Sequence, residues 1–186
     1  MKKMTGRCLT VLLLCLSMLA ACSSEEQQQV EELAVGDIAP DFALKDTDGN
    51  IIILSKFSAY PVVLRFFETD CRYCRADTPI INVYFEKYRD TGLKVFYVAA
   101  YHESKASVTG FINDLDVSFP VIMDNGAKLA DMYNILLYPQ TIMLAPGRKV
   151  MAIIPGGVGE AELDELVGPY LQQNPSVAQS RESEEE

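Results

Sequence analysis

"VVLRFFETDCRYCRADTP", residues 62–79, runs from an apolar stretch into two cysteines spaced C-x-x-C and ends on a proline. The apolar part reads as a buried strand. From about Arg72 to Arg89, Ile80, Ile81, Tyr84, Phe85 and Tyr88 recur at three- and four-residue intervals, which puts them on one helix face. The cysteines therefore fall at a strand-to-helix junction, with Cys71 at the start of the helix and Cys74 one turn inward. On the N-terminal side, "DFALKDTDGNIIIL" has two short apolar runs around Asp48-Gly49-Asn50, a hairpin signal. On the C-terminal side, "LKVFYVAAY" is a second buried strand, "SKASVTGFINDL" a helix, "FPVIMD" a short strand and "GAKLADMY" a short helix. "QTIMLAPGRKVMAIIPG" reads as two strands turning at Pro146-Gly147, and "GEAELDELVGPYLQQ" as a closing amphipathic helix. Strand, helix, strand, helix, then a hairpin and a helix imply an α/β sandwich with a mixed sheet.

The 186 residues amount to about one domain, large enough to bury a core without disulfide staples. The ends are different. "MKKMTGRCLTVLLLCLSMLAACSS" has a basic start, an apolar run from Leu9 to Ala21 and small residues before Cys22, which is the pattern of an export signal and too short for a comfortable membrane span of about 20 residues. Leu19-Ala20-Ala21-Cys22 resembles a bacterial lipobox, which implies cleavage before Cys22 and lipid attachment to it. The expected organisation is a signal peptide at 1–21, a flexible acidic tether at 22–33, the folded domain at 34–173 and a disordered acidic tail at 174–186. Loss of the signal leaves 13 Lys and Arg against 26 Asp and Glu, a charge of −13. Such a surface argues against nucleic acid as a partner.

Of the five cysteines, Cys8 and Cys15 leave with the signal and Cys22 carries lipid, so Cys71 and Cys74 remain for chemistry. A structural zinc site needs four ligands, and the single histidine, His102, is the one obvious supplement. A structural disulfide is the second reading. Redox exchange is the third, and it suits the position: the unpaired N–H groups and positive dipole end of a helix stabilise a thiolate, the species that attacks a disulfide. Outside the cytoplasm such a pair can persist oxidised. On that reading Cys71 is the nucleophile and Cys74 resolves the mixed disulfide.

"APDFALKDTDGNIIILSKF", "VVLRFFETDCRYCRADTP" and "YPQTIML" together resemble the extracytoplasmic thioredoxin-like thiol-disulfide oxidoreductases of the TlpA and ResA type, across about residues 36–173. The resemblance implies a thioredoxin-like fold, a mixed central sheet flanked by helices with an N-terminal β-hairpin extension. It implies that Pro139 is cis beside the disulfide and that the backbone before it, at Tyr138, pairs with substrate. It implies that Asp77, where the family commonly carries Glu, handles protons for the cysteines, although an acid in a first helical turn is favourable without such a job. Where the family often has Trp, this chain has Asp70, read either as a helix cap or as an acid that opposes the thiolate and tunes the potential, with Arg72 and the helix end pulling the other way. Tyr73 is expected to shape the substrate-facing surface. Glu68 reads as a rim residue and His102 as a surface residue or a proton relay.

No organic cofactor and no metal is expected. The implied partners are disulfide-bearing envelope proteins, for example the heme-binding cysteines of apocytochrome c, a membrane dithiol electron donor, and the membrane itself through Cys22. Ser23 after the lipid cysteine leans toward the outer membrane in a Gram-negative organism. Two alternatives share the fold. A peroxiredoxin-like peroxidase places Thr or Ser three residues before its cysteine, where this chain has Glu68; a Sco-like copper-binding protein uses C-x-x-x-C and a distal His.

Overall fold

The computed structural model describes residues 32–172. The expectations for the export signal, for Cys22, for the tether up to Glu31 and for the acidic tail lie outside the described residues. Among the described residues seven strands and five α-helices follow in chain order: β1 (Ala43–Lys45), β2 (Ile51–Ile53), β3 (Val62–Phe67), α1 (Arg72–Tyr88), β4 (Lys94–Ala99), α2 (Lys105–Asp114), β5 (Val121–Met123), α3 (Lys128–Met132), β6 (Gln140–Ala145), β7 (Lys149–Pro155), α4 (Glu160–Leu166) and α5 (Gly168–Gln172). The main sheet has the order β5-β4-β3-β6-β7. Strands β3, β4 and β5 pair in parallel, and β6 and β7 run antiparallel, so the expected mixed sheet is found. No helix among the described residues is long and apolar enough to cross a membrane.

The N-terminal hairpin forms because its turn satisfies its own backbone. The Asp46 carboxylate accepts from the N–H of Asp48 at 3.0 Å, the N–H of Asn50 at 2.8 Å and the Asn50 side-chain amide at 3.0 Å. Gly49 turns the chain at φ +91°, a conformation that only glycine adopts freely. A single bridge from Asp46 to Ile122 lays the hairpin beside β5.

Strand β3 is buried on both faces, and its period of two sorts its side chains between two cores. Val63 and Phe67 enter the core shared with Cys74, Ile81 and Tyr84 of α1, Val108 and Phe111 of α2, and Leu163 of α4. Val62, Leu64 and Phe66 enter the opposite core, beneath Phe42, Ile52 and Leu54 around the hairpin and Leu129 of α3. Arg65 lies between Val63 and Phe67 in this alternation and is 0% exposed, so a guanidinium sits on the α1 side of the central strand.

The closing segment departs from expectation. It forms two short helices, α4 and α5, instead of one amphipathic helix. Pro169 is the cause: it has no N–H to continue the hydrogen-bond ladder and is tolerated only in a first helical turn. Leu33, assigned to the tether from sequence, packs against the hairpin-side core.

Helix α1 buries Cys74, Thr78, Ile81 and Tyr84 against the sheet, which sets a test of the packing. Ile81→Ala, at a site 1% exposed, is expected to destabilise by about 2–5 kcal/mol in urea unfolding. Val83→Ala on the opposite face, 70% exposed, should stay within about 0.5 kcal/mol.

Candidate active site

The chain leaves β3 at Phe67 and reaches the first turn of α1 through Glu68, Thr69 and Asp70. That turn is clamped from the neighbouring parallel strand. Glu103, just beyond β4, accepts the Thr69 N–H at 2.7 Å and the Thr69 hydroxyl at 2.9 Å. Cys71 then takes an extended conformation (φ −69°, ψ 119°) and is the N-cap of α1. Its Sγ accepts the N–H of Cys74 at 3.3 Å, one of the orphan donors of the helix terminus. Both thiols are free.

The two sulfurs stand in different surroundings. Cys71 is partly exposed at the N-terminus of α1. Cys74 is fully buried, and that burial pushes its thiol up to about 12, with the adjacent Cys71 adding to the rise and the Glu68 backbone and then the Arg65 cation opposing it.

Below Cys74 lies a polar row within the apolar core. The strand register sets Tyr97 of β4 and Thr141 of β6 on either side of Arg65. Arg65 donates from Nη1 to Thr141 Oγ1 at 2.6 Å and from Nη2 to Asp77 Oδ2 at 2.7 Å. The same Asp77 oxygen accepts the Val158 N–H at 3.0 Å. A Cβ on Gly157 would lie 3.2 Å from that oxygen, so the bare glycine lets the backbone close over the carboxylate. Thr78 Oγ1 donates to the Cys74 carbonyl at 2.7 Å, which leaves the Tyr97 hydroxyl, 3.2 Å away, to donate to Thr78. Burial holds the Tyr97 phenol well above its ordinary range.

Most residues singled out from sequence gather around this junction. The Tyr138-Pro139 peptide is cis. The β3–β6 pairing reaches Phe66 and Gln140, so Pro139 comes at the sheet end from which the chain departs toward Cys71. Tyr138 is partly buried and its ring meets His102 edge-on at 6.5 Å, while His102 Nε2 lies 3.4 Å from Glu68 Oε1. Tyr73 is 56% exposed, and the Arg72 guanidinium lies over its ring at 4.9 Å and donates to its hydroxyl, which turns that cation toward Tyr73.

Asp70 requires a correction. It is exposed and makes no hydrogen bond to another described residue, and the cap expected of it is supplied by Cys71 instead. The extended backbone one residue later carries Sγ, not the carboxylate, to the free N–H groups. Asp77 is on the expected side of α1, yet its partners are Arg65 and Val158, and no hydrogen bond joins it to either cysteine. Sequence reasoning missed Arg65, Glu103 and Thr141. The available signal was the lone charge at Arg65 inside an otherwise apolar strand. Among the described residues no cluster of three His, Cys, Asp or Glu side chains is placed to hold a metal ion.

Residues 35–153 match the AhpC/TSA family. The thiol-disulfide oxidoreductase ResA of Bacillus subtilis (strain 168) is 30% identical over 137 residues, 74% of this chain and 76% of its own length. ResA of Oceanobacillus iheyensis is 32% identical over 141 residues, 74% of this chain and 71% of its own. The chain belongs to the ResA-type thiol-disulfide oxidoreductases of the AhpC/TSA family. A DsbE-type thiol:disulfide interchange protein of Chlorobium tepidum superposes on this ResA-type chain with a TM-score of 0.65 at 26% identity, covering 79% of it and 99% of the other. StoA of Bacillus subtilis superposes with a TM-score of 0.61 at 19% identity, covering 69% and 96%, which is a likeness of thioredoxin-like fold.

The contrast between the sulfurs predicts their labelling. With the pair reduced at pH 8, iodoacetamide should modify Cys71 and spare Cys74. A thiol at about 12 instead of the ordinary 9.0 holds roughly a thousandth of the usual thiolate at that pH. Peptide mass mapping reads the order, and Cys74 should label only in denaturant or in strong alkali.

Proposed function

We propose that the protein is a lipid-anchored thiol-disulfide oxidoreductase of the bacterial cell envelope that reduces disulfides of envelope proteins through Cys71 and Cys74. One observation carries the reading: a partly exposed Cys71 caps α1 and receives the Cys74 N–H, with a fully buried Cys74 thiol directly behind it. Cys71 thiolate attacks one sulfur of a substrate disulfide, and the other substrate sulfur leaves as thiolate and takes up a proton. Cys74 then loses its proton and attacks Cys71 Sγ, which forms the Cys71–Cys74 disulfide and releases the second substrate thiol. Two electrons pass from the protein dithiol to the substrate, and a membrane dithiol donor returns them. Burial keeps Cys74 protonated until Cys71 is in the adduct, so the nucleophile is chosen by environment.

Substrate recognition is assigned to the surface around the junction. Tyr73 flanks the dithiol, and Leu136, Leu137 and Tyr138 lead into the cis-Pro139 turn, with Leu136 85% exposed. Aromatic and apolar groups of this kind offer contact area to an extended segment, and the backbone at Tyr138 supplies its hydrogen bonds. Apocytochrome c is a candidate substrate on family grounds. The basic start, apolar run and Cys22 support export and a lipid anchor, and Ser23 favours the outer membrane where there are two.

The AhpC/TSA match also brings the peroxidase reading into view. Against it, Glu68 occupies the position three residues before Cys71, and the nearby Thr69 hydroxyl is bound to Glu103. An anion at that position repels the polarised oxygen of a peroxide.

Trapping tests the exchange reading. Cys74→Ser should accumulate mixed disulfides through Cys71 that are visible on non-reducing gels, and Cys71→Ser should accumulate none. Absence of adducts from Cys74→Ser with Cys71 intact and reduced would sink the proposal.

A further inference from the structure

Arg65 is a full positive charge sealed between the central strand and the cysteine helix, and the two exchange steps leave it without a part. It is 0% exposed, and two of its nitrogens are bound, to Thr141 and to Asp77. Its third, Nε, is buried with no acceptor. An unpaired buried donor is costly, and a buried guanidinium is more so, which makes this an unusual group to retain for packing alone. Its position is specific. Asp77 follows Cys74 by three residues, and side chains at that spacing are neighbours on a helix, about 5–6 Å apart at Cβ. Through Asp77, Arg65 is tied to the face of α1 that carries Cys74, and its β3 neighbours Val63 and Phe67 share a core with Cys74.

We propose that Arg65 is a positioning residue for the resolving sulfur: its guanidinium stabilises the Cys74 anion during attack on Cys71, and Asp77 anchors and partly neutralises that guanidinium instead of taking the Cys74 proton. The inference rests on the exchange reading. The groups that face Cys74 from each packed element are few. Cys71 and the Glu68 backbone come from the turn leading into α1, Arg65 from β3 and the Tyr97 phenol from β4, with Asp77 one turn further along α1. Thr141 of β6 and the Val158 N–H after β7 are uncharged, and α2 contributes Val108 and Phe111. Arg65 is the one cation in this set. Asp77 Oδ2 already accepts two hydrogen bonds, from Arg65 and Val158, and neither cysteine donates to Asp77. The Glu68 backbone and, after it, the Arg65 charge already oppose the effect of burial on the Cys74 thiol, and of the two only Arg65 carries a charge.

In the resolving step Cys74 releases its proton to solvent, the Cys71–Cys74 bond forms, the bond from Cys71 to the leaving sulfur breaks, and the pair of electrons departs with that sulfur. The measurement isolates this step. The full chain carrying Cys8→Ser, Cys15→Ser and Cys22→Ser is loaded at Cys71 with 5-thio-2-nitrobenzoate, and release of the coloured thiolate at pH 8 is followed in single turnover. Asp77→Asn keeps an acceptor for Nη2 but removes the counter-charge, so release should become faster. A fall of about one unit in the Cys74 pKa raises the thiolate tenfold and lowers its intrinsic nucleophilicity about threefold, a net gain of about threefold. Arg65→Met should slow release by about threefold or more, and Arg65→Lys should keep most of the rate. Thermal unfolding identifies the folded variants. If Arg65→Met does not fold, the sign of the Asp77→Asn effect decides alone. Slower release from Asp77→Asn, or an unchanged rate in folded Arg65→Met, overturns the proposal. Parent protein that forms the adduct but releases nothing defeats the exchange reading itself, a separate outcome.

Discussion

A guanidinium in the middle of a sheet must find partners or unfold its surroundings, and in this protein the search for partners fastens the cysteine helix to the sheet. Arg65 stands at the centre of β3, itself the central strand, and reaches Thr141 on one neighbouring strand and Asp77 on α1. Breaking one side of such a buried pair typically costs about 3–5 kcal/mol, because the remaining charge is stranded. The bare Gly157 and the Val158 N–H close the segment after β7 over the same carboxylate. One charge thus draws β6, α1 and that segment together under the first turns of the helix, where the cysteines are.

The geometry above that anchor divides labour between two chemically identical side chains. Cys71 terminates an extended segment and so presents its sulfur to the helix terminus and to solvent. Cys74 is one turn deeper, fully buried, with its carbonyl held by Thr78 and its thiol kept protonated. The Glu103 clamp on Thr69 fixes the approach to the pair from the β4 side. Pairing along β3 and β6 delivers cis-Pro139 to the end of the sheet from which the chain departs toward Cys71, so the placement of both follows from strand register.

Much of this was legible in the sequence because it is local. The Asp48-Gly49-Asn50 turn, the C-x-x-C at a strand-to-helix junction and the helix starting after Ser104 depend on residues a few positions apart, and each was found. Three things were not legible, for distinct reasons. The Arg65 network joins positions 12 and 76 residues apart in the chain, and a single charge in an apolar strand does not announce its partners. The choice of Cys71 over Asp70 as helix cap turns on one backbone conformation, and both residue types read plausibly as the first residue. The split of the last helix was written in Pro169, which the amphipathic pattern around it masked.

The direction of electron flow follows from how well the reduced pair is stabilised. Strong dithiol oxidants owe their potential to a stabilised thiolate. Here the Cys71 sulfur receives one N–H, the nearby Arg72 is turned onto Tyr73, and Cys74 is held as a thiol. The most direct measurement is the reduction potential of the Cys71/Cys74 couple, from equilibration with defined thiol-disulfide buffers. A value more negative than about −200 mV, in the range of dithiol reductants, is expected; a value near about −120 mV, that of strong envelope oxidants, would overturn the reductase reading.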